Sequence, residues 1–220
     1  MCGMSTNRES VPRTIRWRQF SLRGMLLLVL AFALLFWWLQ PEKLDRSYFP
    51  IGVGYQWVYA SNGGDTQGDV VFEVVGTEQV GDAECFVVLR TIGEHRLRFY
   101  VEVTHRGVWI HQVGQDRYKP PYQQFVFLTK KGDRWNWKGT IGKEPAEYAC
   151  ENYGLQEVEV PLGQWEAFSV SQTRVFTNFW LVDGIGVVKL EGKSLDEHDP
   201  VPQPGNPLYF DWQLKEFTRP

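Results

Sequence analysis

Arg96-Leu-Arg-Phe-Tyr-Val-Glu-Val-Thr104 is the stretch that decides the fold class. Leu97, Phe99, Val101 and Val103 fall on one side, and Arg96, Arg98, Tyr100, Glu102 and Thr104 on the other. Apolar and polar residues that alternate with a period of two describe a strand with one buried face and one wet face. Val70–Val75 is more uniformly apolar, which predicts a strand covered on both sides. Glu157 and Glu159 alternate with Val158 and Val160, and a longer strand is predicted over Trp165–Val175. In Leu208–Phe217, Leu208, Phe210, Trp212 and Leu214 share a face opposite Tyr209, Asp211, Gln213 and Lys215, so a last strand completes the sheet.

Between these runs lie turn signals: Asn62-Gly-Gly-Asp65, Val80-Gly-Asp82, Ile92-Gly-Glu94, Lys131-Gly-Asp133 and Pro161-Leu-Gly163. Strands punctuated this often indicate an all-β sandwich or barrel. Four prolines within Leu195–Pro207 make that region a surface loop, since proline cannot donate to a ladder. No helical period is sustained beyond the first 40 residues, although a single helical turn fits Asn178–Asp183.

The N-terminal region reads differently. Met25–Leu39 is an uncharged apolar run of 15 residues, and Phe20–Leu39 reaches 20 with one charge, Arg23. A helix needs roughly 20 such residues to cross a membrane. Arg23 at one end can reach the headgroups, and Trp37 and Trp38 suit the opposite interface. Five arginines against one acid, Glu9, give residues 1–23 a charge of +4; with the whole chain at −3, the rest carries −7. Positive flanks stay inside, so the N-terminus is placed in the cytoplasm and the large domain outside, at a bacterial inner membrane. A cleaved signal peptide is the alternative, with Ala31-Phe32-Ala33 as its site, but Leu34–Trp38 would then form a greasy new terminus. A buried core helix is a third reading. The division that follows is a basic tail (1–19), a transmembrane anchor (20–39) with the lipid bilayer as its partner, a linker (40–47) and an extracytoplasmic β domain (48–220).

Few residues suggest chemistry. The four histidines (95, 105, 111, 198) make no zinc-type spacing, and Asp196-Glu-His-Asp199 lacks the glycine-spaced order of a calcium loop. No nucleophile elbow is present, so no catalytic residue, metal or cofactor is assigned. The acidic outer domain argues against nucleic acid. With 10 tryptophans, aromatic residues reach 15% of the chain. Trp135 and Trp137, two apart, project from one face of a strand. They either line a site for an apolar or glycan ligand or pack as sheet core. Cys85 and Cys150 either form one disulfide or remain two buried thiols, which spacing does not decide.

Three segments in order resemble an uncharacterised family of bacterial envelope β domains. They are Tyr48-Phe-Pro-Ile-Gly-Val-Gly-Tyr-Gln-Trp-Val-Tyr59, Val160-Pro-Leu-Gly-Gln-Trp-Glu-Ala-Phe-Ser-Val170 and Gly184-Ile-Gly-Val-Val-Lys189. Trp165 stands where that family usually has Phe. The family is distantly similar to the half-barrels of outer-membrane lipoprotein carriers. The resemblance implies an antiparallel curved sheet or half-barrel with an apolar concavity and no assigned catalytic residues. Two functions then compete: a domain that binds a lipid or glycan, and a module that contacts other envelope proteins through an edge strand. An envelope-polymer hydrolase is a lesser alternative.

Overall fold

The structure is a computed structural model that describes residues 22–38, 42–61, 68–173, 177–193 and 209–220. The chain divides into two compact units, Met1–Pro41 and Glu42–Pro220. In the first, α1 spans Leu22–Trp38. The second holds twelve strands: β1 (Gln56–Ser61), β2 (Asp69–Val80), β3 (Ala83–Ile92), β4 (His95–Thr104), β5 (Gly107–Val113), β6 (Asp116–Val126), β7 (Arg134–Ile141), β8 (Glu144–Val160), β9 (Gly163–Gln172), β10 (Thr177–Val182), β11 (Gly186–Lys193) and β12 (Tyr209–Thr218).

The alternation read in Arg96–Thr104 is β4. Its Phe99 and Val101 lie opposite Val88 and Phe86 of β3 on the inner face. Each strand pairs antiparallel with its sequence neighbours, and β1 also pairs with β12, from Gln56↔Thr218 to Ser61↔Trp212. That last pairing turns the meander into a closed barrel. The expected antiparallel all-β sheet is present, but the half-barrel is corrected to a full one. The final strand comes back to hydrogen-bond the first, so neither remains an edge.

Closure is thinnest between β6 and β7, which share two residue pairs, Tyr118↔Ile141 and Lys119↔Thr140. Pro120 and Pro121 follow and have no N–H to give a ladder. Tryptophan side chains take over there. The Trp137 indole N–H donates to the carbonyls of Pro120 and Pro121 at 3.0 and 3.1 Å, and that of Trp135 to Gln123 at 3.1 Å.

Twelve strands enclose more room than their own side chains fill, since barrel diameter grows with strand number. Two features occupy it. Trp137 stacks on Tyr148 with ring centres 5.4 Å apart, and Tyr122 closes on both, 5.6 Å from Trp137 and 4.8 Å from Tyr148. Residues 42–55 form the second, a plug at the end where β1 begins. Leu44 is fully buried, donates to Thr129 O at 3.0 Å and accepts from Leu128 N at 2.6 Å. A 3₁₀ turn, Arg46–Tyr48, follows and is capped by Asp45, whose carboxylate accepts from Ser47 N at 2.8 Å. Tyr48 then meets Phe168 edge-on at 4.9 Å, and Phe49 tilts against Phe125 at 5.7 Å. The segment expected to be a linker thus contributes buried packing from Leu44 onward.

One further expectation changes. Asn178–Asp183 is not a helical turn: β10 runs through it, with a bulge at Trp180/Leu181. Of the two alternatives for Cys85 on β3 and Cys150 on β8, the structure has two buried free thiols, on strands that are not neighbours. Helix α1 has 17 residues, about 25 Å at 1.5 Å per residue against a hydrocarbon core of about 30 Å. Among the described residues no helix is long and apolar enough to cross a membrane. The side chains of Arg23, Trp37 and Trp38 lie outside those described, as do the tail 1–19, the turn at 62–65, His198 and the proline-rich loop.

Candidate functional site

Between the plug and the strands β1–β6 and β9–β12 remains a cavity of about 280 Å³. Phe49, Pro50 and Ile51 of the plug lie against it. Its walls are the inward residues of alternating strands, among them Trp57 and Tyr59 (β1), Phe72 (β2), Val88 (β3), Phe99 and Val101 (β4), and Phe210 and Trp212 (β12). Two of the aromatic rings spend their polar atoms on the main chain. Trp57 Nε1 donates to Ile185 O and Tyr59 Oη to Val187 O, each at 2.7 Å. Burial drives the Tyr59 hydroxyl far above its ordinary pKa, so it stays neutral. What these rings offer the cavity is apolar surface.

Four polar side chains interrupt that surface: Arg90, Gln124, Gln172 and Thr177. The Arg90 guanidinium carbon lies 5.6 Å from the Phe99 ring centre and 5.7 Å from that of Trp212. Both are within the range in which a ring face attracts a cation. Gln172 and Thr177 face each other across β9 and β10, and each is 5% exposed.

The plugged end is held by the segments that carry the family resemblance. Tyr48 of the first meets Phe168 of the second. Gly184 of the third donates its N–H to Ser47 O at 2.9 Å, and its carbonyl accepts from the Arg219 guanidinium at 2.6 Å. Gly186 has φ +98°, and a Cβ there would sit 3.4 Å from Trp57 Nε1 and 3.6 Å from Pro50. A side chain at that position meets both strain and crowding, so the glycine lets β11 pass close behind the cavity wall.

Trp135 and Trp137 do project from one face of β7, opposite Cys150 and Tyr148. They lie at the β6–β7 seam and are not among the residues that line the cavity. Cys150 Sγ meets Tyr122 Oη at 3.4 Å, while Cys85 sits 4.0 Å from Ala83 O. His111 lies 2.8 Å from a Glu102 carboxylate oxygen, and His105 is exposed in the β4–β5 turn. Sequence reading passed over Arg90 and Gln172. Each had a signal: Arg90 falls in step with Phe86, Val88 and Ile92, and Gln172 with Phe168 and Val170, so each is a polar residue in an apolar row.

No family model matches the chain, and no curated protein matches it. Two solved structures are similar to it. One is a Bacteroides fragilis protein classed as exported, with a YmcC-like fold: 12% identity, 81% of this chain and 100% of that one covered, TM-score 0.43. The other is a Parabacteroides distasonis protein classed as a lipoprotein: 12% identity, 78% and 98% covered, TM-score 0.38.

Proposed function

We propose that this chain is a single-pass bacterial envelope protein whose barrel binds an apolar ligand without transforming it. The cavity carries the reading. At about 280 Å³ it lies near the lower end of small-molecule sites, roughly 300–1,000 Å³. It has the apolar, aromatic walls and few polar groups that such sites use. Those walls favour a hydrocarbon over a glycan, because a sugar would leave most of its hydroxyls without partners. Of the residues lining it, Tyr59 carries a hydroxyl that burial holds far above its ordinary pKa, so it is not poised to exchange a proton near neutral pH. The edge-strand reading has less support. The barrel closes on itself, and the carbonyls at its weakest seam accept indole N–H groups.

Residues 20–39 are proposed as the anchor, with the N-terminus cytoplasmic and the barrel outside the inner membrane. Helix α1 alone falls short, so the span draws on Phe20, Ser21 and Leu39. Met25 to Leu35 support an apolar surrounding, since their large side chains are 47–68% exposed. The arginine flank supports the orientation.

Native mass spectrometry of the full chain, purified from a bacterial envelope, tests the binding. A bound lipid-like mass that disappears in Val88→Phe, which fills the cavity, is the expected result. A bare mass that persists after incubation with envelope lipids overturns it. An extracytoplasmic reporter enzyme fused after Pro220 should be active; an inactive fusion reverses the topology.

A further inference from the structure

Gln172 is 5% exposed and lines the cavity, yet no described group hydrogen-bonds its side-chain amide. Gln172 is not among the buried polar atoms sealed off without a partner, so its amide keeps surface open to the cavity and can be served by water or by a ligand group that enters. Its surroundings explain why it cannot serve itself. Thr177 faces it on β10 and has an interaction of its own, Cys150 lies opposite it on β8 with its sulfur engaged by Tyr122, and Phe168 and Val170 precede it on the same face. The open side of the amide is the cavity. A glutamine there offers two N–H donors and one carbonyl acceptor to whatever enters.

We infer that Gln172 is a specificity-determining residue, and that the cavity takes a single-chain amphiphile whose terminal carbonyl accepts a hydrogen bond from the Gln172 amide. This rests on the apolar-ligand reading above and sharpens it. The alkyl chain lies against Trp57, Phe72, Phe99 and Trp212, and the carbonyl oxygen is the one atom that needs a donor. An alkane of the same length leaves the amide unserved, so the site discriminates against it. Rejecting a ligand that lacks the matching polar atom is what buried donors do well.

Trp57 and Trp212 in the wall supply the readout, because a bromine atom in van der Waals contact quenches indole fluorescence. The full chain, held in amphipol, is titrated with methyl 11-bromoundecanoate and with 1-bromotridecane, matched in length. Both probes are uncharged, which keeps the Arg90 charge out of the comparison. Val88→Phe, with its cavity filled, sets the baseline. The expected result is that the ester-to-alkane affinity ratio is roughly tenfold higher in wild type than in Gln172→Met, the size of one buried hydrogen bond. Taking the ratio between the two proteins cancels the greater hydrophobicity of the alkane. Alkane quenching should be unchanged by the substitution, and Gln172→Leu serves if the methionine variant misfolds. A ratio that stays the same in the variant overturns the role of Gln172, while the apolar site stands. Quenching by both probes no greater than in Val88→Phe overturns the apolar site itself, and the inference with it.

Discussion

Trp137→Phe keeps a ring between Tyr122 and Tyr148 and removes the indole N–H that serves Pro120 and Pro121. Pro120 is exposed and Pro121 half-buried, so water can reach these carbonyls and the variant should lose about 0.5–1.5 kcal/mol, the net worth of an ordinary hydrogen bond. A lower urea midpoint at unchanged slope checks it. That Trp135 and Trp137 share a face was legible from their spacing. Their partners were not, because these lie on a strand some 15 residues earlier that meets them only once the barrel forms. The thiols permit a second residue-level prediction. Burial pushes Cys150 and Cys85 up to about 11, with Glu102 adding to the shift at Cys85. The folded values exceed the unfolded value of roughly 8.5. Their contribution to stability is therefore full below that pH and is lost as pH rises towards 11. Melting temperature should fall across this window, and less steeply in Cys150→Ala. At pH 8 neither thiol should react with iodoacetamide until the protein unfolds, since the thiolate is the reactive form.

Between elements, the seam of β6 and β7 is the place where the barrel should open first, because two residue pairs hold it. Gly139 keeps the strands close there. A Cβ on it would collide with Lys119 O and with the Trp137 ring, 2.6 Å away. Gly139→Ala should therefore push the strands apart at Lys119↔Thr140. Hydrogen exchange should accelerate at Tyr118, Lys119, Thr140 and Ile141 while β2–β4 stay protected; unchanged exchange at the seam would show that the ring gives way instead. Element identity was legible wherever one face met water, as in β4 and β12. It failed at β10, where Phe179, Trp180, Leu181 and Val182 form a continuous apolar run. The bulge at Trp180/Leu181 shifts the register there, so period two vanishes from the sequence.

For the whole molecule, closure was beyond sequence reading because it joins the two ends of the β unit. The pairing Gln56↔Thr218 links residues 162 positions apart, and no local pattern records it. The cavity was illegible for the same reason: its wall draws on ten strands, each contributing one or two side chains. Closure also makes the two units separable in a testable way. The barrel's buried cluster begins at Leu44, and every strand finds its partners within Glu42–Pro220. Removing residues 1–41 should then leave the urea midpoint of the barrel unchanged. Removing 1–51 takes away Leu44, Tyr48, Phe49 and Ile51 as well. Deleting one buried leucine side chain alone costs about 2–5 kcal/mol, so this truncation should lower the midpoint sharply. It should also raise the affinity for a solvatochromic dye such as ANS, by stripping Phe49, Pro50 and Ile51 from the cavity. Equal midpoints for the two truncations would mean that the plug is a passive cover; a midpoint already lowered in the first would mean that the barrel depends on its N-terminal unit.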